Sequence, residues 1–290
     1  MNEWRTRAYA KINLSLDVLG KREDGYHEVR MVMQSIDLYD HVWLQKTEES
    51  GIALTVDKPY LPTDDRNLMV RAAKLMFERF SLQGGLRMKL DKYIPVAAGM
   101  AGGSTDAAAV FRGINALYGL GLSDEALMAL GVTLGADIPY CIQGKTMLSE
   151  GIGEKLTRLP DCPKCYIIAA KPAFSVSTKG VYEEIDRIGT YPHPDTDGLI
   201  EGLKRGDLLQ MTSCMGNVLE YVTGSRYPVI GQIEANLREN GALKAMMSGS
   251  GPTVFGVFDD LEKAKFALRA LRQAHLSGNT FLCDPIQSEN

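Results

Sequence analysis

Residues 95–106 read Pro-Val-Ala-Ala-Gly-Met-Ala-Gly-Gly-Ser-Thr-Asp, a run of small side chains that leads straight into an alanine-rich, helix-forming segment. Pro95 and Val96 enter the run, and Ala97, Ala98, Gly99, Met100, Ala101, Gly102 and Gly103 let backbone approach a ligand with little side chain in the way. Ser104 or Thr105 is placed to cap the helix that follows. The free N–H groups and the positive end of that helix dipole then face the loop, which makes a site for phosphate oxygens. A tight turn with a capped, well-packed helix explains the same residues without a ligand, so the rest of the chain has to decide between the two.

Other reactive side chains exclude more than they assign. The histidines are His27, His41, His193 and His275, with no pair at metal-binding spacing. Cys162-Pro163-Lys164-Cys165 has the spacing of half a zinc site, but no second Cys or His pair lies near it, and tetrahedral zinc needs four ligands. No side chain is assigned to a metal. The cysteine count is odd and scattered, which fits a reducing cytoplasm, and no apolar run is long enough to act as a membrane span. The balance of 32 basic and 36 acidic residues gives a net charge of −4. Basic residues are neither in excess nor clustered, so no nucleic-acid partner is expected.

The elements that would carry these residues follow from periodicity. A length of 290 residues makes two domains the default. Ala8, Ala10, Ile12, Leu14, Leu16 and Val18 alternate with Tyr9, Lys11, Asn13, Ser15 and Asp17, which predicts a strand with one buried face. Lys11 and Asn13 then share the polar face, which solvent alone would explain. Further strands are predicted at residues 29–38, 42–44, 52–56 and around 86–90, with a helix over 66–80, so the small-residue loop sits between strand and helix. Ser123 should cap a helix that stops near Gly135, and Pro139 suits the first turn of the next. In the second half, strands at 165–170, 243–247, 254–258 and near Phe281, with helices at 178–185, 199–220 in two pieces, 228–240 and 261–274, predict an antiparallel sheet with helices on one face. Residues 190–198 read as an exposed loop.

Two glycine-rich segments in this order resemble the GHMP kinases, the superfamily of galactokinase, homoserine kinase and mevalonate kinase. Residues 95–105 look like their phosphate-binding motif, and Ser248-Gly249-Ser250-Gly251 looks like their C-terminal glycine motif. Ala10-Lys11-Ile12-Asn13-Leu14, Asp24-Gly25-Tyr26-His27, Gly135-Ala136-Asp137-Ile138-Pro139 and Glu150-Gly151-Ile152-Gly153-Glu154 are similar to the branch that phosphorylates a cytidine-diphosphate-linked methylerythritol in the non-mevalonate route to isoprenoids. Met100 and Thr105 stand where leucine and serine are usual, and both keep size or hydroxyl chemistry.

The resemblance implies a two-domain α+β fold: an N-terminal ATP-binding α/β domain over residues 1–153, and a C-terminal domain over 154–290 with a ferredoxin-like antiparallel sheet and helices, whose last strand could return to the first domain. It implies Asp137 as general base toward the substrate hydroxyl and Lys11 as its cationic partner, with Asn13 orienting the same groups. A helix cap beside Pro139 is the plain alternative for Asp137. Tyr26 and Tyr182 are implied as stacking faces for cytosine, His27 as a contact to the base edge, Ile152 as an apolar wall and Thr178 as a substrate contact; otherwise these read as core, surface or cap residues. Gly249, Ser250 and Gly251 are implied to support the nucleotide loop. ATP is the implied co-substrate, with Mg2+ held largely by phosphates and water. The expected partner is the small-molecule substrate alone, with no membrane, for a monomer or weak homodimer. A GHMP kinase for another small alcohol, such as homoserine or mevalonate, is the alternative within the superfamily. A dinucleotide-binding oxidoreductase is disfavoured because Gly99, Gly102 and Gly103 do not make a GxGxxG spacing. A sensor that lost catalysis is disfavoured by intact Lys11 and Asp137.

Overall fold

The computed structural model describes residues 2–288. Two strands, β1 (Glu3–Lys21) and β2 (His27–Thr47), are much longer than the sequence alternation predicts. The expected break between residues 38 and 42 does not occur, because Leu38, Asp40, Val42 and Leu44 keep one unbroken alternation of buried positions. Each of these strands contributes to two compact units. One unit takes the chain up to Ala10, then Leu38–Val96 and Ala101–Gly144; the other takes Lys11–Asp37, Ala97–Met100 and the chain from Lys145 onward. The units thus interleave along the chain, whereas the sequence reading divides it once, between residues 153 and 154.

In the first unit β3 (Gly51–Val56) is followed by α1 (Leu68–Phe80), β4 (Gly85–Asp91), α2 (Gly102–Tyr118), α3 (Asp124–Gly131) and α4 (Ile138–Gln143). β4 pairs parallel with β3 and antiparallel with β2, from His41 opposite Asp91 to Thr47 opposite Gly85. Leu44, Leu86 and Met88 from these strands share one buried cluster with Ala72 and Met76 of α1 and with Ala108, Phe111 and Ile114 of α2. Each large apolar side chain buried there contributes about 1.5–3 kcal/mol. Ser123 caps α3 by accepting a bond from the Ala126 N–H, as predicted, but the helix ends at Gly131, four residues early.

The second unit continues with β5 (Thr146–Gly151), β6 (Lys155–Arg158), β7 (Tyr166–Lys171), α5 (Thr178–Ile188), α6 (Thr196–Arg205), α7 (Leu208–Ser213), β8 (Gly216–Asn217), α8 (Glu220–Arg226), α9 (Val229–Glu239), β9 (Lys244–Met247), β10 (Val254–Phe258), α10 (Leu261–Gln273) and β11 (Asn279–Cys283). β7, β9, β10 and β11 form an antiparallel sheet in the order β11-β7-β10-β9, the ferredoxin-like arrangement, with α9 and α10 packed on it. The last strand therefore stays in this sheet. It is the segment after it that returns to β2, where Pro285 bridges to Ile36 and the Ile286 N–H bonds the Ser35 carbonyl. β5 pairs with β2 and β6, and β8 lies parallel to β1.

One expectation about exposure fails here. Lys11, Asn13, Ser15 and Asp17 are all buried, so β1 has no solvated face between residues 11 and 17. The supposed loop at 190–198 is what covers part of that face. Thr196 begins α6 and shares a 2.7 Å hydrogen bond with Ser15, His193 bonds Asp17, and the Tyr191 hydroxyl bonds the Val18 carbonyl. Polar residues on both segments satisfy one another, so a segment that is largely exposed, as expected, still sends Thr196 inward against β1.

Candidate active site

The small-residue loop takes a backbone shape that its composition permits. Ala97, Gly99 and Ala101 all have positive φ, at 49°, 74° and 55°. A left-handed residue is one half of the backbone alternation from which anion nests are built. α2 starts at Gly102, with Ala101 as its N-cap and no side-chain cap bond. Ser104 and Thr105 therefore do not cap this helix, as the sequence suggested; they lie inside its first turn. The consequence favours the phosphate reading, because the first N–H groups of α2 stay uncapped at the positive end of its dipole.

Within the second unit, residues 97–100 are pinned to β1 by the C-terminal glycine motif. The Lys11 N–H bonds the Met100 carbonyl at 3.2 Å. Ser248 Oγ donates to the Gly99 carbonyl at 3.0 Å and accepts from the Asn13 N–H at 3.3 Å. Gly99 has no alternative, since a Cβ there would lie 2.2 Å from the Ser248 carbonyl oxygen. Asn217 holds the motif from behind by donating to the carbonyls of Met247 and Gly249. The Lys11 ammonium, 5% exposed, donates to Asn13 Oδ1 at 2.7 Å. It is a buried cation whose hydrogen-bond partner among the described residues is a neutral amide, which leaves its charge uncompensated locally.

A second group in this unit assembles on α5. Ser177, not Thr178, caps the helix by accepting from the Gly180 N–H, and Thr178 Oγ1 shares a 2.8 Å hydrogen bond with Ser250 Oγ. Tyr182 sits one turn further along the same face, its ring 4.8 Å from that of His27. Asp186, one more turn along, takes His27 Nε2 at 2.6 Å and Lys21 Nζ at 2.8 Å. Burial would raise the Asp186 carboxyl, but Lys21 and His27 together hold it below the usual carboxylate value. Tyr26, 57% exposed, lies in the turn before β2, next to His27 in the chain. Ile152 tips the β5–β6 hairpin, and β5 places Gly151 opposite Val29, two residues into β2 from His27. Of the predicted substrate residues, the structure thus joins His27 to Tyr182 and links Thr178 to the glycine motif.

Asp137 lies in the first unit as the residue before α4, half-buried, and its carboxylate makes no capping bond. Asp137 thus holds the N-cap position that the plain alternative gives it, while its side chain does no capping. Also in this unit, and absent from the sequence reading, are Lys92, Asp40 and Asp106. Lys92 Nζ, buried, is bound by Asp40 at 2.5 Å and Asp106 at 2.6 Å. Asp40 also accepts from the N–H groups of Tyr93 and Ile94. Burial first, then the neighbouring Asp40, pushes the Asp106 carboxyl up to about 8 against the pull of Lys92. Burial works against the Lys92 ammonium, yet Asp106 and Asp40 raise it overall. Three charged groups with one cation are neutral only if one carboxyl keeps its proton.

The family models for the GHMP kinases N terminal domain and the GHMP kinases C terminal match residues 67–145 and 199–277. The 4-diphosphocytidyl-2-C-methyl-D-erythritol kinase of Lachnospira eligens is 51% identical over 273 residues, 94% of this chain and 95% of that protein. Its counterpart in Lachnoclostridium phytofermentans is 48% identical over 284 residues, 98% of each. A crystal structure of 4-(cytidine 5'-diphospho)-2C-methyl-D-erythritol kinase superposes with a TM-score of 0.84 at 32% identity, covering 98% of this chain and 100% of that one. Homoserine kinase from Cytophaga hutchinsonii, at TM-score 0.79 and 20% identity over 99% of this chain and 96% of its own, shares the fold. With both domain models matched and about half of its residues identical to these relatives across nearly the whole chain, this protein belongs to the GHMP kinases, in the family of 4-diphosphocytidyl-2-C-methyl-D-erythritol kinases.

Proposed function

We propose that this chain transfers the γ-phosphoryl group of ATP to the 2-hydroxyl of 4-diphosphocytidyl-2-C-methyl-D-erythritol, giving ADP and the 2-phosphate. The observation that carries the phosphoryl half is the uncapped N-terminus of α2 behind a loop with positive φ at Ala97, Gly99 and Ala101. Such a site binds phosphate oxygens through backbone N–H groups and dipole, and phosphoryl transfer is mostly positioning and charge stabilisation.

In this reading Asp137 takes the proton of the attacking hydroxyl. Its carboxylate is not committed to capping α4, so it is available as a base. Lys11 offsets negative charge on the transferring group, and Asn13, which holds the ammonium, fixes where that charge lies. Tyr26, Tyr182 and His27 take the cytosine, with Ile152 as an apolar wall and Thr178 near the sugar or phosphate. Among the described residues no cluster of three His, Cys, Asp or Glu side chains stands ready for a metal. A Mg2+ ion brought by the nucleotide would be held largely by phosphates and water and would supply charge neutralisation. No described helix is long and apolar enough to cross a membrane; we place the reaction in the cytoplasm.

An ADP-release assay with the cytidyl substrate, homoserine, mevalonate and methylerythritol phosphate tests the reading. Turnover should be confined to the cytidyl substrate. Comparable turnover of homoserine or mevalonate would remove it.

A further inference from the structure

The proposed cytosine contact, His27, is not held by its own strand but by a carboxylate on α5. Asp186 accepts from His27 Nε2 at 2.6 Å, and its other oxygen takes Lys21 Nζ at 2.8 Å. The His27 side chain is 9% exposed, and Tyr182 lies against its ring at 4.8 Å with a 36° tilt. An imidazole fixed by a ring contact and one nitrogen has a single orientation. An ionised carboxylate only accepts, so Nε2 must carry the proton of a neutral ring and Nδ1 is left as an acceptor. Nδ1 makes no hydrogen bond to the protein among the described residues.

From this geometry we infer that Asp186, braced by Lys21, is a specificity-determining positioning residue that fixes His27 as a hydrogen-bond acceptor toward the nucleobase edge. The inference rests on the proposed function and deepens it by saying what selects the base. An acceptor at Nδ1 matches the exocyclic amino donor of cytosine. The oxygen at the same position of uracil would meet it lone pair to lone pair, and a site acceptor left unpaired is how a polar pocket rejects a near-isostere. The alternative is a plain tie: Lys21 at the end of β1 and His27 at the start of β2 fastened to α5, with no effect on base choice.

Two measurements separate these. In the first, long-range 1H–15N NMR of His27 at about pH 8.5, where an ordinary imidazole is neutral, should show Nε2 protonated and Nδ1 bare in the wild type. In Asp186→Asn, whose amide can donate as well as accept, both tautomers should appear. A wild-type ring protonated at Nδ1 overturns the inference, and this readout needs no substrate. In the second, kcat/KM is compared for the cytidyl substrate and its uridyl analogue in wild type, Asp186→Asn and Asp186→Glu. The cytidyl preference should fall about tenfold in Asp186→Asn, mostly through KM for the cytidyl substrate, and Asp186→Glu should recover part of it. KM for ATP should not follow. An unchanged cytidyl-to-uridyl ratio in folded Asp186→Asn protein overturns the inference and leaves the kinase reading standing. A wild type that turns over neither substrate overturns the kinase reading instead, and the inference with it.

Discussion

The Lys92 ammonium lies 2.6 Å from Asp106 Oδ2, and a Cβ built on Gly102 would come within 2.9 Å of the same nitrogen. A buried cation therefore sits against the first residue of α2, where the uncapped N–H groups begin. Lys92 follows the end of β4, Asp40 lies within β2, and Asp106 is in the second turn of α2, so one side chain ties three elements.

Removing that cation should be severe. Lys92→Met leaves two buried carboxyls without their cation, a loss of about 3–5 kcal/mol for a broken buried pair. Urea unfolding should show it as a lowered midpoint. A change under about 1 kcal/mol, the range of a surface pair, would mean the triad is solvated in solution.

Asp106 gives a pH signature with a definite sign. Its carboxyl is pushed up to about 8 from an ordinary 3.8, so between those values the folded chain holds a proton that the unfolded chain has released. The contribution is complete below about pH 4 and declines as pH rises toward 8, since stability falls with pH wherever the native state binds more protons. Asp106→Asn removes this slope. Relative to wild type, the variant should therefore gain stability steadily from pH 5 to pH 8. Parallel stability curves for the two proteins would contradict the shift.

Asp137→Asn should lower kcat by about two to four orders of magnitude, the usual worth of a general base, with ATP affinity nearly kept. Since the Asp137 side chain caps nothing, the amide should not cost the fold. Near-normal turnover would rule Asp137 out as the base.

The glycines of the loop separate two requirements. At Gly103 the nearest atom to an added Cβ is Leu68 Cδ1 at 3.6 Å, so Gly103→Val should fold yet weaken ATP binding in calorimetry by crowding the phosphate approach. At Gly99 the Ser248 carbonyl and the positive φ both forbid a side chain, so Gly99→Ala should lower thermal stability even without nucleotide. Unchanged ATP affinity in folded Gly103→Val would assign the loop another role.

Losing the Tyr182 ring should cost about 1–3 kcal/mol of affinity for the cytidyl substrate, the usual value of one stacking face. Tyr182→Ala also removes the ring that rests on His27, so part of this loss reflects a freed imidazole. KM for the cytidyl substrate should rise while KM for ATP stays. A parallel rise in both would point to general disruption of α5.

By itself the sequence determined the things that local chemistry decides: a small-residue loop between strand and helix, the alternation that makes β1, the Ser123 cap, and the motifs that mark a GHMP kinase of the cytidyl branch. Its alternation also places two charges at inward positions. Leu86, Met88 and Leu90 continue the alternation to Lys92, and Leu38, Val42 and Leu44 bracket Asp40 at the same period, so both charges fall at inward positions. Thr178, Tyr182 and Asp186 are spaced at four residues, one helix face. Only the tertiary structure decided what these charges meet. Asp186 is 159 residues from His27, and Ser248 is 149 from Gly99; nothing in a local pattern pairs them. The cap of α2 went astray for a related reason. Propensity favours Ser104 or Thr105, but the Gly102 backbone, packed where a side chain would strike Lys92, lets the helix begin at least three residues earlier and keeps its first N–H groups uncapped.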